Sequence, residues 1–151
     1  MFRRTIYSLA IVALIAGCSS GTKLNEAPVV DRGAAGQGGA ASGVARIIYF
    51  DFDSYTVKPE FQQLIDGHAR FLKANPNRHV SIEGHTDERG GREYNLALGQ
   101  KRSEAVRRAL VLVGVSDAQI EAVSFGKEKP AAQGSGEDVW AQNRRAEITY
   151  R

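Results

Sequence analysis

An aspartate and an arginine in the stretch 80–113 occupy positions where their charges could bind a ligand. Asp87 falls where a short strand pattern gives way to a polar turn, and Arg102 falls within the apolar stripe of a long helical pattern. Asp87 could simply cap its own turn. Arg102, however, needs either a route to the protein edge or a buried partner. It could pair with Asp87, or it could donate to a ligand carboxylate and leave Asp87 free for an ammonium group.

The acidic and histidine side chains of this stretch also permit enzyme and metal-site interpretations. Glu83 and Asp87 could form a glycosidase carboxylate pair, but they follow one another along a single strand and turn. His85 and Asp87 could ligate a metal, but the other histidines, His68 and His79, lack ligand spacing. The sequence has neither a G-x-S-x-G motif nor a phosphate-binding loop. We therefore expect a non-enzymatic protein without cofactor or metal.

The N-terminal segment 1–17 has the composition of a secretory signal peptide. Arg3 and Arg4 give it a positive start, and residues 6–16 form an apolar run too short to span a bilayer as a helix. Removing these two arginines from the 20 basic residues leaves 18, against 17 acidic residues. The exported chain is then nearly neutral, so its charge gives no reason to expect nucleic acid binding.

Cys18 is the single cysteine of the chain and lies in the context LIAGCSS. An odd cysteine in an exported protein requires an explanation. The small residues before it resemble the lipobox of bacterial lipoproteins, so we expect a lipidated N-terminus rather than a buried or incidental thiol. Several acyl chains on one residue anchor a protein stably. Ser19 indicates the outer membrane by the usual bacterial sorting preference, with the folded part facing the periplasm.

Residues 18–43 predict a flexible tether between this anchor and a folded domain at 44–151. The tether contains the low-complexity run GAAGQGGAASG, which has no apolar face to bury. About 25 such residues average on the order of 28 Å end to end. The tether would let a membrane-anchored domain search for a binding partner at a distance.

The folded domain alternates strand and helix patterns. His68 is expected to be a packed or partly exposed residue of the first helix and not a ligand, Gly84 allows a close backbone approach, and Gly114 is a helix stop. A short helical turn is expected to bury Trp140. This order predicts an α+β sandwich in which two main helices pack on one face of a mixed four-stranded sheet. The predicted elements are a strand at 46–52, a helix from Pro59 to about Asn75, a strand at 79–85, a helix at 92–113, a strand at 120–125, a helical turn at 138–142 and a strand at 145–150.

Four motifs along this domain resemble the OmpA-like peptidoglycan-binding domain. They are YFDFDS at 49–54, GHTDERGGREYNLALGQKR at 84–102, SFGKEKP at 124–130 and NRRAEI at 143–148. The resemblance covers about 44–151, and the segment before it fits the export and tether region of the lipid-anchored members. It implies non-covalent binding of the peptidoglycan stem peptide through meso-diaminopimelate, whose free end carries an ammonium and a carboxylate on one carbon.

The resemblance also implies roles for individual residues of the site. The aspartate matching Asp87 takes the ammonium group, and the arginine matching Arg102 takes the carboxylate. Phe52 and Asp53 match residues that supply backbone and side-chain contacts. Leu98 matches a position in the pocket wall. The implied protein is a tether between the outer membrane and peptidoglycan, within the Tol system of the cell envelope and cell division.

Further positions of the motifs imply supporting roles and a protein partner. Arg89 lies in the turn that forms the pocket. Asn143, Arg144 and Arg145 match a motif that supports the pocket loop and contributes to a partner surface. Lipid-anchored members bind the periplasmic propeller protein TolB over an overlapping surface, and other Tol-system proteins are further candidate partners.

Two positions depart from the usual pattern of the family. Gly91 stands where many members have Thr or Ser, so we expect the second long helix to lose a good N-cap. Ser103 stands where Ala is usual, and it is small enough to leave Arg102 undisturbed. Neither departure falls on a residue that the resemblance assigns to the ligand.

Overall fold

The computed structural model describes residues 43–151, and in this part three α-helices pack on a four-stranded mixed sheet. The predicted α+β class is confirmed. The signal segment, Cys18 and the tether up to residue 42 lie outside the described residues. The elements in order are β1 (Ile47–Tyr49), α1 (Gln62–Ala74), β2 (Val80–His85), α2 (Arg92–Leu112), β3 (Ile120–Gly126), α3 (Glu137–Asn143) and β4 (Arg145–Tyr150).

The sheet has the strand order β1-β4-β2-β3, with β2 and β4 at its centre. β4 pairs antiparallel with both β1 and β2, whereas β2 and β3 are parallel. Ile82 of β2 lies opposite Ala122 of β3 and Ile148 of β4. Parallel neighbours need a crossover connection, which α2 provides. The C-terminal end of β2 and the start of α2 are therefore joined by a single short turn, residues 86–91.

The core lies between the sheet and the helices α1 and α2. Helix α1 contributes Ile65, Ala69 and Leu72, which recur at spacings of three and four along one face. Burial of each large apolar side chain stabilises the fold by roughly 1.5–3 kcal/mol. The other principal core residues are Ile48, Phe50, Val80, Ile82, Val106, Leu110, Ile120 and Ile148.

Among the described residues no helix combines the length and apolar composition needed to cross a membrane.

His68 lies on the inner face of α1 and is fully buried, so of the two predicted situations, packed or partly exposed, it is packed. Its Nε2 donates to the carbonyl oxygen of Ala45 at 2.8 Å. In the neutral ring Nδ1 must then accept, and the Tyr150 hydroxyl donates to it at 2.7 Å. Burial lowers the pKa of His68, which favours this neutral form. The histidine thus joins α1 to β4 and to the chain before β1.

Strand β1 is shorter than the predicted strand at 46–52. The backbone N–H of Phe50 still donates to the carbonyl oxygen of Arg144 at 2.9 Å. Beyond it, the N–H of Ser54 donates to the carbonyl oxygen of Asp51, and Asp53 has a left-handed φ of 54°. This turn moves Phe52 and Asp53 off the sheet and into the loop at its edge. A 3-10 turn, Pro59–Phe61, precedes α1 where the sequence predicted the first turn of the α-helix.

Strand β2 and helix α2 approach each other closely at two glycines. A Cβ atom built at Gly84 would lie 1.9 Å from the carbonyl oxygen of Gly99, so only glycine permits this contact. The close approach predicted at Gly84 is confirmed. Helix α2 follows Gly91, which has no side chain to cap it, and Gly114 (φ +96°) comes just after its end, as predicted. The contact fixes α2 over the end of β2, where the candidate site lies.

Candidate functional site

A pocket of about 260 Å³ opens where the loop after β1, the turn 86–91 and the first half of α2 meet. All six residues that the sequence assigned to ligand binding, apart from the lipidation site, line this pocket. Its volume lies just below the roughly 300–1,000 Å³ of pockets for drug-sized ligands and suits a small head group. The lining residues are Phe52, Asp53, Thr86, Asp87, Arg89, Gly90, Tyr94, Asn95, Leu98 and Arg102.

Arg102 is fully buried and donates to three backbone carbonyl groups from two other segments. Its Nε donates to Ser54 at 2.8 Å, its Nη1 to His85 at 2.7 Å and its Nη2 to Asp51 at 3.1 Å. A guanidinium has five N–H donors, so two remain available, one on each terminal nitrogen. Burial lowers the pKa of Arg102 to about 10, which still leaves the group charged at neutral pH. Arg102 therefore holds the loop after β1 against β2, and two of its N–H groups are not used in these three bonds.

Asp87 is buried at the pocket wall and is paired with two arginines other than Arg102. Arg89 donates to it through Nη2 at 2.7 Å, Nε at 3.2 Å and the backbone N–H at 3.1 Å. Nη1 of Arg144 lies 3.5 Å from its Oδ2. Burial alone raises the pKa of Asp87, but the hydrogen bonds from Arg89, assisted by Arg144, hold it below its ordinary value. The direct Asp87–Arg102 pair, one of the two alternatives from the sequence, is therefore replaced by pairing with Arg89.

The guanidinium of Arg89 is also in contact with two aromatic rings. Its Cζ lies 4.0 Å from the ring centroid of Phe52 and 4.0 Å from that of Trp140. Trp140 is half-buried beside this turn, so the prediction that the helical turn buries it was wrong. Its Nε1 donates to Glu88 at 3.0 Å because the indole faces the polar turn and not the core. Trp140 thus belongs to the surroundings of the site.

Sequence reasoning missed four of the lining residues, although the helical spacing along α2 could have identified one of them, Asn95. Asn95, Leu98 and Arg102 are spaced three and four residues apart, which places them on one face of α2. Asn95 is buried and its Nδ2 donates to the carbonyl oxygen of Arg89 at 2.9 Å. Tyr94 donates from its hydroxyl to Asp53, a contact across two segments that no local pattern reveals. The remaining two are Thr86 and Gly90.

The predicted supporting motif at 143–145 divides into different roles. Asn143 accepts from the backbone N–H groups of Ala131 and Ala132 at 2.8 and 3.0 Å and so holds that loop. Arg144 donates from Nε to the carbonyl oxygen of Phe50 at 3.1 Å and also pairs with Glu137, besides its contact with Asp87. Arg145 pairs with a glutamate on its own strand, with 2.6 Å between Nε and Oε1. Arg145 also donates from Nη1 to the carbonyl oxygen of Asn143 at 3.4 Å and from Nη2 to that of Lys129 at 3.3 Å. All three residues therefore bind backbone groups of neighbouring segments.

The residues of the alternative enzyme and metal sites are not assembled. Ile82 faces the helices, so Glu83, the next residue of β2, points to the opposite face of the sheet, away from the pocket that Asp87 lines. His85 is buried and stacks on Phe125, with 5.6 Å between the ring centroids. Within residues 43–151, no group of three or more His, Cys, Asp or Glu side chains is placed to hold a metal ion.

Comparisons with known proteins show which family shares this sequence and fold. The OmpA family profile matches residues 49–144. A protein of Pseudomonas putida named peptidoglycan-associated lipoprotein is 49% identical over 151 residues, which span 91% of this chain and 90% of that protein. The crystal structure of the peptidoglycan-associated lipoprotein from Burkholderia pseudomallei is 64% identical, with a TM-score of 0.70 over 71% of this chain and 91% of that one. The C-terminal domain of Helicobacter pylori MotB, 21% identical, shares the fold with a TM-score of 0.65 over 71% of this chain and 84% of that one.

Proposed function

Because the chain belongs to the OmpA family and, within it, to the peptidoglycan-associated lipoproteins, we propose that it is a non-catalytic outer-membrane lipoprotein that binds peptidoglycan. One observation of the structure carries the proposal. Asp87 and Arg102, opposite charges on separate elements, line a single small pocket. A site that binds without catalysing needs complementary charge and shape, and this pocket offers both. The lipid on Cys18 would hold the domain at the membrane.

The ligand in this proposal is the free end of meso-diaminopimelate in the stem peptide. Its carboxylate would accept from the two remaining N–H groups of Arg102, and its ammonium would reach the carboxylate of Asp87. Each charge-assisted contact contributes about 1.5–3 kcal/mol, so a single bond should seldom be tighter than micromolar. Many such bonds, each from an anchored molecule, would hold the membrane to the cell wall by multivalency.

The other lining residues would shape the space around that head group. Leu98 is buried and supplies an apolar wall. Phe52 and Asp53, in the loop after β1, form the rim, and Asp53 is fixed there by the hydroxyl of Tyr94. Arg89, in the turn 86–91, closes the side next to Asp87. The loop after β1 is itself held by Arg102, so rim and ligand contact depend on the same side chain.

Co-sedimentation with purified peptidoglycan sacculi tests the proposal. Asp87→Asn keeps the shape of the side chain but removes the charge that an ammonium requires, so we expect the variant to stay in the supernatant. Asp117→Asn is a matched control. Asp117 lies beyond the C-terminal end of α2, is exposed and pairs with Arg107. The control should pellet with sacculi as the parent protein does, and free meso-diaminopimelate should release the parent protein.

Two outcomes would contradict the proposal. If Asp87→Asn pellets as well as the parent protein, Asp87 does not bind the ligand. If the purified domain releases soluble muropeptides from sacculi, the protein is a cell-wall hydrolase and not a tether.

Membership of the Tol–Pal system is a further part of the proposal, supported by the family and by the motifs at 84–102 and 143–148. TolB is the partner expected over a surface that overlaps the pocket. A pull-down with purified TolB should capture the domain, and meso-diaminopimelate peptides should compete with it. An OmpA-like lipoprotein outside the Tol system would bind sacculi but would not retain TolB.

A further inference from the structure

Asp87 has two arginine partners that differ in how firmly they are held. Arg144 is buried, and its guanidinium also binds the carbonyl oxygen of Phe50 and the carboxylate of Glu137. Arg89 lies two residues from Asp87 in the turn, and 32% of its side chain is exposed. Besides Asp87, the Arg89 guanidinium contacts only the rings of Phe52 and Trp140 among the described residues. Arg144 is therefore the fixed counter-ion, whereas Arg89 can leave Asp87 by rotating its side chain into solvent.

Arg89 takes the position that a ligand cation needs. It lines the pocket together with Asp87, and two N–H groups of its guanidinium donate to the Asp87 carboxylate, as does its backbone N–H. The ring of Phe52, 61% exposed at the rim, contacts the guanidinium from the pocket mouth. The acidic side of the pocket is thus already occupied by a positive group of the same chain.

We infer that Arg89 is an internal competitor for the ammonium side of the pocket, so that a ligand ammonium binds Asp87 only by displacing the Arg89 side chain. This inference rests on the proposed function and adds a residue that sets its affinity. The displacement exchanges one cation for another at the same carboxylate. Arg144 stays in place throughout, so Asp87 is never left buried without a counter-ion.

The exchange has a consequence for the class of ligand that binds. Because the ammonium contact replaces an existing ion pair, it adds little net free energy. The contact between Arg102 and a carboxylate displaces no ion pair, because the hydrogen-bond partners of Arg102 are backbone carbonyl groups, so it must supply most of the affinity. A ligand with an ammonium group alone should then bind poorly to the parent protein, and a head group with both charges should bind well.

Calorimetric titration of three small probes onto the parent protein and Arg89→Gln tests this inference. The probes are meso-diaminopimelate with both charges, 1,5-diaminopentane with ammonium groups alone, and pimelate with carboxylates alone. Arg89→Gln should bind the first two roughly tenfold more tightly, the effect of one charge-assisted contact. Its affinity for pimelate should be unchanged or lower, because no ammonium site is involved.

Arg92→Gln is the matched control for a change of net charge near the pocket. Arg92 starts α2, is 62% exposed in its side chain and pairs with Glu128, 3.3 Å away at the surface. Its substitution should leave the affinity for all three probes close to that of the parent protein. Arg89→Lys provides a second variant that keeps a cation for Asp87. Since lysine makes fewer contacts with the carboxylate, it should give a smaller gain in the same direction.

Distinct results overturn the inference. Weaker binding of meso-diaminopimelate by Arg89→Gln would show that Arg89 contacts the ligand directly, and the proposed function would stand. An equal gain in Arg92→Gln would show that general charge is responsible. If the parent protein binds neither meso-diaminopimelate nor sacculi, the proposed function fails and the inference fails with it.

Discussion

The Nη1 atom of Arg102 donates a 2.7 Å hydrogen bond to the carbonyl oxygen of His85, the last residue of β2. The other two contacts of Arg102 are with carbonyl groups of Asp51 and Ser54 in the loop after β1. One buried side chain therefore joins a helix, a strand and a loop that are far apart in sequence. The pocket exists in this shape because Arg102 holds its two walls together.

Arg102→Lys should destabilise the protein although it conserves the charge. Lysine has one terminal nitrogen, which cannot reach three carbonyl groups arranged around a planar fork. The unpaired carbonyl groups should lower the free energy of unfolding by about 2–3 kcal/mol, and sacculus binding should also be lost. Urea unfolding measures the first effect. Arg108→Lys, at an exposed site of the same helix, should leave the urea midpoint of unfolding unchanged. An unchanged midpoint in Arg102→Lys would contradict the conclusion that Arg102 holds the pocket walls together.

Gly84→Ala should destabilise the protein and weaken ligand binding together. The added Cβ would lie 1.9 Å from the carbonyl oxygen of Gly99, so α2 must move away from β2. Overpacking of this kind costs about 1–3 kcal/mol. Because Leu98 and Arg102 lie on the displaced helix, the pocket should widen and its affinity for meso-diaminopimelate should fall. Full affinity in a destabilised Gly84→Ala protein would show that the glycine contact does not position the site.

Gly91→Ser should stabilise the protein. Gly91 is the N-cap of α2 with φ −72° and ψ 159°, a conformation that serine adopts readily. Among the described residues, no heavy atom outside its chain neighbours lies within 4 Å of a Cβ built there. A hydroxyl that accepts from the first turn should raise the free energy of unfolding by a few tenths of a kcal/mol, since glycine is itself a tolerated N-cap. Thermal unfolding checks this, with Gly91→Ala separating the cap from the loss of backbone freedom.

The bounds of β2 and α2 could be predicted closely because their signals are local. Val80–His85 and Arg92–Leu112 fall within a residue of the predicted ranges. Alternation marks the strand, and a glycine stands at each end of the helix. The same local periodicity singled out Arg102, since a charge on an apolar stripe is visible without knowledge of the partner. The bounds of elements with such local signals can be predicted without knowledge of their contacts elsewhere in the chain.

The loop after β1 and the pairing of Asp87 could not be predicted, because distant residues determine both. Asp51 leaves the strand pattern where its carbonyl group meets Arg102. The sequence offered Arg102 as the arginine partner of Asp87, whereas the turn geometry brings Arg89 back to it. Trp140 likewise lies at the surface because Glu88 offers an acceptor there. Composition alone predicted a buried indole.

Stability should fall as the pH drops from neutral, and His85 should account for part of the loss. His85 is 2% exposed, and burial, reinforced by the nearby charge of Arg145, lowers its pKa from 6.5 to about 4. Between these values the unfolded chain binds a proton that the folded protein does not, so stability decreases as pH falls. The decrease is at most about 1.4 kcal/mol per pH unit, or roughly 3 kcal/mol in total.

His85→Gln removes this titration while keeping the backbone carbonyl group that Arg102 binds. The free energy of unfolding of the variant, measured in urea from pH 7 to pH 4, should therefore depend less steeply on pH than that of the parent protein. The slope that remains belongs in part to His68, whose buried ring loses stability in the same direction. If the profile of His85→Gln runs parallel to that of the parent protein, burial does not disfavour protonation of the imidazole, and the acid sensitivity has another origin.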